Sequence, residues 1–85
     1  MSQTLQRPTH EEALALLRFR LREKGAADVQ VAIDYLIMTF EHAVILRRGE
    51  VYVAFKLSDE EFTLPTLYLW ADEALAALNN DSAVF

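Results

Sequence analysis

The sequence predicts a small α+β domain with two N-terminal helices, a two-stranded antiparallel hairpin and a C-terminal helix. Three observations lead to this fold class. A well-capped helical run follows a polar start, two β-branched and aromatic runs flank a glycine-containing turn, and an apolar stripe of helical spacing follows Pro65. At 85 residues and 53% hydrophobic content the chain forms one domain. We place it at 9–80, with flexible tails at 1–8 and 81–85.

The first helix has clear start and stop signals. Thr9 followed by Glu12 is a capping box, in which the hydroxyl and the carboxylate each bind a backbone amide of the other residue. Gly25 supplies the left-handed residue that commonly ends a helix. Four basic residues precede it, where the helix dipole favours cations. We therefore predict a helix over 10–24.

This helix carries two apolar patches. The core stripe follows i, i+1, i+4, i+8 spacing and consists of Ala13, Leu14, Leu17 and Leu21. Leu16 and Phe19 lie on another side of the helix. That second patch is either covered by another element of the fold or is a surface for self-association.

Residues 28–42 fit two periodicities. Apolar residues alternate from Val29 to Tyr35, as in a strand, and also recur at helical spacing from Val29 to Val44. A 15-residue run without glycine or proline is long for a single strand. We therefore predict a second helix here, with a strand as the alternative.

A hairpin follows, with strands at 43–46 and 51–55 around the turn 47–50. One face of the second strand is apolar and is predicted to face the core: Val51, Val53, Phe55 and Leu57. The other face mixes Tyr52, Ala54 and Lys56. Because a lone two-stranded ribbon is marginal in water, it needs helices, a third strand or a second subunit beside it.

The last element is predicted as a helix over 65–79. Its apolar stripe has helical spacing and consists of Leu64, Leu67, Tyr68, Ala71, Leu75 and Leu78. Pro65 is tolerated in the first turn of a helix. The alternative is that 66–70 forms a third strand of the hairpin, with a helix only from Ala71.

Charge is unevenly distributed along the chain. Residues 1–48 hold seven of the eight basic residues and six acids, whereas 49–85 hold one base, Lys56, and seven acids. An acidic surface repels nucleic acid and anionic lipid and attracts a basic partner. With a pI of about 4.8, the chain is not expected to bind nucleic acid directly.

Catalytic and cofactor motifs are missing from the sequence. It has no cysteine, and its two histidines, His10 and His42, lack the spacing of a zinc site. We expect His10 to be exposed and both histidines to be structural. Two glycines cannot supply a phosphate-binding loop or a dinucleotide fingerprint. We therefore predict a protein that is not an enzyme and has no cofactor or metal.

Targeting signals are also missing. No run approaches the roughly 20 apolar residues that span a bilayer, and the N-terminal segment lacks the apolar stretch of a signal peptide. We expect a cytoplasmic protein that does not act at a membrane.

By elimination, the predicted function is that of a small acidic protein-binding module of the inhibitor, adaptor or immunity type, which includes phage-type antagonists. Its acidic C-terminal half would dock on a basic partner surface. The predicted partner-binding residues are Glu50, Asp59, Glu60, Glu61, Asp72, Glu73, Tyr52 and Trp70. Asp72 and Glu73 are expected to lack compensating bases.

Two other functions are open at this point. One is an obligate homodimer that serves as a structural or assembly protein, with hairpins paired across the subunits. The predicted self-association residues are Leu16, Phe19, Phe62 and Tyr68. The other is a small-molecule-binding domain with an aromatic pocket.

Overall fold

The computed structural model describes residues 7–84, and the side chains of residues 7–80. It is a small α+β domain with two helices and a three-stranded antiparallel sheet. The elements are helix α1 (His10–Glu23), strands β1 (Gln30–Leu36), β2 (Glu41–Arg48) and β3 (Val51–Ser58), and helix α2 (Leu64–Val84).

The sheet is a meander in the order β1-β2-β3. Its register places Ala32 opposite Ile45, and Ile45 opposite Ala54, in one row across the three strands. Both helices pack on one face, because side chains alternate between the faces of a strand and the buried ones share a face. The inner face contributes Val31, Val44, Leu46, Phe55 and Leu57 to the core.

The helix predicted over 28–42 is wrong. The alternation that starts at Val29 belongs to strand β1, which pairs with β2 from Gln30↔Arg47 to Leu36↔Glu41. The length argument failed because the run holds two elements rather than one. A turn at 37–40 separates them, although it contains no glycine or proline to mark it.

The predicted hairpin is confirmed and extends to the full lengths of β2 and β3. The third strand is β1, before the hairpin, and not 66–70, which is helical. The predicted C-terminal helix over 65–79 is confirmed and is longer, since α2 runs to Val84. The flexibility expected at 81–85 stays a prediction, because those side chains are outside the described part. Most of the tail expected at 1–8 also lies outside the described residues.

Helix α1 is confirmed with its cap. The Thr9 Oγ1 accepts from the Glu12 amide at 3.1 Å, and the Thr9 amide donates to Glu12 Oε1 at 2.9 Å. Gly25 has the left-handed φ of 77° that the predicted helix end requires. The core stripe is also confirmed, with Ala13, Leu17 and Leu21 buried and Leu14 packed against the core.

The two helices run in the same direction. His10 begins α1 and packs against Phe62, just before α2 begins. At the other end of α1, Lys24 Nζ lies 3.8 Å from Asp72 Oδ1, about two turns into α2. Both helix N-termini therefore lie at the end of the sheet where β1 turns into β2.

Candidate functional site

The turn between β1 and β2 holds the two most exposed large apolar side chains of the described residues, Met38 and Ile37, and the exposed Phe40. We call residues 37–40 the tip. Ile37 is 71% exposed, Met38 89% and Phe40 64%. Single exposed apolar residues are ordinary, but a contiguous group of large ones on one protruding turn is typical of an interaction site.

The tip holds Phe40 in an unfavourable backbone conformation. Its φ is 57°, in the left-handed region that bulky residues rarely adopt. Such a residue costs roughly 1–2 kcal/mol relative to glycine. Thr39 N donates to Leu36 O at 3.3 Å, the backbone hydrogen bond that closes the turn. Backbone conformations of this kind occur most often at binding and active sites.

Below the tip, two histidines and one aspartate form a hydrogen-bonded chain. His10 Nε2 lies 2.9 Å from His42 Nδ1, and His42 Nε2 lies 2.7 Å from Asp59 Oδ1. Because an ionised carboxylate only accepts, His42 Nε2 carries the hydrogen and donates to Asp59. With its hydrogen on Nε2, His42 accepts at Nδ1 from His10 Nε2–H. We call these three residues the histidine chain.

Aromatic contacts hold the histidine chain in place. The His42 ring stacks on Phe62 with centroids 4.1 Å apart and an interplanar angle of 14°. Tyr35, opposite His42 in the sheet register, has its ring centroid 5.0 Å away. His10 meets both His42 and Phe62 edge-on. The expectation that His10 is exposed is therefore wrong, because this packing half-buries it.

The pKa of His10 is lowered below its ordinary value of 6.5. Burial is the largest cause, since it disfavours the charged ring, and the neighbouring His42 lowers it further. Asp34 opposes both effects. His10 is consequently neutral near pH 7, which fits the hydrogen-bond directions of the chain.

The contacts of the histidine chain within the described residues are to ring nitrogens, a carboxylate and aromatic rings. Among the described residues, neither histidine hydrogen-bonds to a serine or threonine hydroxyl. Over the same residues, no group of three His, Cys, Asp or Glu side chains is arranged to hold a metal ion. The direct effect of the histidine chain is to hold the Asp59 side chain against β2, beside the tip.

Asp59 begins an acidic turn that is itself capped. Ser58 N donates to Glu61 Oε1 at 3.0 Å, and Glu61 N donates to Ser58 Oγ at 3.3 Å. This is the reciprocal cap that the Ser58–Glu61 spacing favours. Glu60 is exposed and has no ion-pair partner in the described part of the chain. We call residues 59–61 the acidic turn.

Asp72 is not a free acid, which corrects the sequence prediction. Its oxygens accept from Arg20 Nε at 3.1 Å and Arg20 Nη2 at 2.9 Å, and Lys24 adds a third basic contact. The hydrogen bonds from Arg20 are the main cause that lowers the pKa of Asp72. Asp72 therefore joins α1 to α2, and the sequence missed this pair because its members lie 52 residues apart.

The other predicted acids do not converge. Glu73 is exposed on α2, and Glu50 is exposed in the turn between β2 and β3, at the opposite end of the sheet from the acidic turn. The structure therefore brings together only Asp59, Glu60 and Glu61 of the predicted acidic surface.

The predicted aromatic contacts also separate. Phe62 is 2% exposed, which corrects its predicted place in a self-association surface. Tyr68 packs against the core with the Arg20 guanidinium 4.8 Å from its ring centroid. Tyr52 is exposed on the outer sheet face, and Trp70 stacks on Phe55 at 5.8 Å.

The second patch on α1 is only partly open. Leu16 is half-buried, whereas Phe19 is exposed. The two residues therefore differ in what they offer a partner, and Phe19 is the more accessible of them.

The two ends of the sheet differ in their balance of charge. The tip end is acidic: it holds Glu11, Glu12, Asp34, Glu41, Asp59, Glu60 and Glu61, with Lys56 in the same register row as Asp34. The other end holds both signs: the bases Arg20, Arg22, Lys24, Arg47 and Arg48, and the acids Glu23, Asp28, Glu50 and Asp72. In α1 the charges complement the helix dipole, with Glu11 and Glu12 in the first turn and Arg20 and Arg22 in the last.

Comparison with protein-family models, with curated proteins and with solved structures found no match for this chain. Within the described residues, no helix is long and apolar enough to cross a membrane. The site itself is thus what a functional argument can start from.

Proposed function

We propose that this chain is a small, non-catalytic protein-binding module that inserts its tip into an apolar pocket on a partner with a basic rim. The observation that carries the proposal is the group of Ile37, Met38 and Phe40, all exposed on one turn beside the acidic turn. The proposal narrows the predicted acidic interface, because Asp72 is paired within the fold and Glu50 lies at the far end.

The tip has the properties of an interface anchor. Burying one large apolar side chain contributes about 1.5–3 kcal/mol, and interfaces depend on a few such residues that a polar rim surrounds. The hairpin of β1 and β2 supports the tip on a rigid base, so little conformational freedom is lost on binding.

The acidic rim favours a basic protein over other partners. Asp34, Glu41 and the acidic turn give the tip end a negative field, which speeds encounter with a basic surface and is screened by salt. The same field repels the negative surface of an anionic membrane. An apolar tip with acidic flanks is therefore better suited to a protein pocket than to lipid.

The test uses capture from the host lysate, identification of the captured protein and titration of that protein in purified form. Met38→Asp is expected to weaken Kd by at least about tenfold, since it places a charge in the apolar pocket. Phe19→Ser is the matched control, because Phe19 is a similarly exposed apolar residue away from the tip. Equal losses in Met38→Asp and Phe19→Ser would contradict the proposal.

A charge-reversal pair tests the rim. Glu60 and Glu73 are both exposed and have no ion-pair partner among the described residues. Glu60→Lys is expected to slow association with the purified partner and to reduce its salt dependence, whereas Glu73→Lys is expected to leave both unchanged. The reverse order would place the interface on α2.

A homodimer is the second candidate, because β1 and β3 are both edge strands within this chain. Unpaired strand edges allow two sheets to join. Dimerisation makes the melting temperature depend on protomer concentration. A monomer by light scattering at micromolar concentration would exclude this candidate.

A further inference from the structure

We infer that the groove along the free edge of β1 binds an extended acidic segment of a partner protein, which adds to the sheet as a fourth strand. This site is separate from the tip and does not depend on the function proposed for it.

The groove offers backbone hydrogen-bonding groups. β1 pairs with β2 on one side only, so its other edge presents N–H and C=O groups that an added strand can use. The cavity at this edge has a volume of about 660 Å³. Its walls come from α1, the connection to β1, and β1 and β2: Arg18, Arg22, Ala26, Ala27, Val29, Gln30, Val31, Ala32, Ile45 and Arg47.

The three arginines of the groove, Arg18, Arg22 and Arg47, form none of the ion pairs that the described residues make with acids. Arg20 pairs with Asp72, and Arg48 pairs with Asp28. Among the described residues, Arg18, Arg22 and Arg47 have no acidic partner, and Arg47 donates only to the Gly49 carbonyl. All three line this one groove.

The arrangement of Arg18 and Arg22 strengthens the point. They lie one helical turn apart on α1, where two like charges repel and destabilise the helix. No acid lies in the groove lining to offset this repulsion. An anionic occupant would remove it, which is the charge complementarity that selects an acidic segment.

The two faces of the added strand would meet different arginines. Arg18 and Arg22 lie on the helix side of β1, and Arg47 lies on the outer sheet face beside Gln30. Successive side chains of a strand point to opposite faces. Adjacent acidic residues in the occupant therefore reach both sides, while an apolar residue between acidic pairs packs on Val29 or Ile45.

The acidic turn of a second copy does not fit this groove as an added strand. It is held by the Ser58–Glu61 cap and by the bond to His42, so it is not extended. We therefore assign the groove to a different, acidic chain.

The test is fluorescence anisotropy with a labelled synthetic peptide of repeated Val-Asp-Glu. The double variant Arg18→Gln, Arg22→Gln is expected to weaken its binding by about tenfold, and Arg47→Gln by a smaller factor. Arg7→Gln and Lys56→Gln are matched controls that remove a positive charge elsewhere and should leave binding unchanged. Melting curves of every variant verify that the fold is kept.

Four results would overturn the inference. Binding that survives in the groove variants, or falls equally in the controls, removes the groove as the site. Equal binding of a peptide with N-methylated backbone amides excludes strand addition, which needs those amides. Tighter binding of oligothymidylate, lost in the same variants, makes nucleic acid the occupant. Self-association that the groove variants abolish, without peptide binding, makes it a second copy.

Discussion

The two turns of the sheet are built by different rules. The turn between β2 and β3 uses Gly49 at a φ of 63°, and Arg47 Nε donates to its carbonyl at 2.7 Å. The turn between β1 and β2 also needs a left-handed residue, but it uses Phe40 at a φ of 57°. One turn takes the residue that fits the backbone, and the other keeps an aromatic side chain against the backbone preference.

This difference identifies the tip as the turn whose residue does not match the preference of its backbone conformation. Proteins keep most positions locally consistent and depart from that consistency at strained or functional sites. The β2–β3 turn is structural, since its geometry and its residues agree. At the tip the backbone and the residue conflict, which is why we place function there.

The largest expected effect separates the exposed tip from the core directly beneath it. Phe62→Ala is expected to lower the free energy of unfolding by about 3–5 kcal/mol, because it opens a cavity under His42. Denaturant unfolding measures the change. Phe40→Ala is the control at the same end of the molecule and should cost far less. Equal losses would mean that Phe40 is packed rather than exposed.

The next effect tests the structural turn. Gly49→Val is expected to cost about 1–2 kcal/mol, because a side chain at this φ is strained. A Cβ at Gly49 would meet nothing within 4 Å, so the loss comes from the backbone alone. Gly49→Asn, which tolerates the left-handed region, should lose less in the same unfolding assay. No loss in Gly49→Val would show that the two turns obey one rule.

The tip should respond in the opposite way. In Phe40→Gly, relief of roughly 1–2 kcal/mol of strain opposes roughly 0.5–1 kcal/mol of chain entropy. We therefore expect unfolding to change by less than about 1 kcal/mol, while partner binding weakens. Denaturant unfolding and partner titration on one preparation measure the free energy of unfolding and the Kd. A large loss of stability would mean that Phe40 serves the fold.

The smallest effect is a pH dependence confined to the tip end. The pKa of His10 is lowered in the folded state, so the unfolded chain binds more protons between that value and 6.5. The contribution of His10 to the free energy of unfolding is fully present above pH 6.5 and is lost as the pH falls through this range. His10→Gln should flatten the profile, because glutamine still offers an N–H to His42. The contribution of Asp72 is lost only below pH 3.8, the ordinary pKa of an aspartate, so the two pH ranges do not overlap.

Signals that are local in sequence predicted their elements well. The cap at Thr9, the glycine turn at Gly49 and the stripe of α2 each lie within a few residues, and each element is present. Strand β1 was missed because no turn residue marks 37–40. Propensity and spacing cannot reveal a turn that depends on sheet pairing for its shape.

The candidate site was harder to predict, because tertiary contacts assemble it. His10 and His42 are 32 residues apart, and His42 and Asp59 are 17 apart. The charge imbalance was visible in the sequence, but of the predicted acidic surface the fold brings together only Asp59, Glu60 and Glu61. The adjacent apolar residues Ile37 and Met38 were visible in the sequence. They were not recognised as an exposed turn because the segment was predicted to be a helix.

In sequence, α1 precedes the three strands and α2 follows them, and this order has a consequence during synthesis. The three strands are joined by short turns and can pair as soon as they leave the ribosome. Leu67, Ala71 and Leu78, which cover their inner face, are made last. Until α2 emerges, only α1 can cover the inner face of the nascent sheet, and the part that α2 will cover stays exposed. This interval is when the chain is most exposed to aggregation.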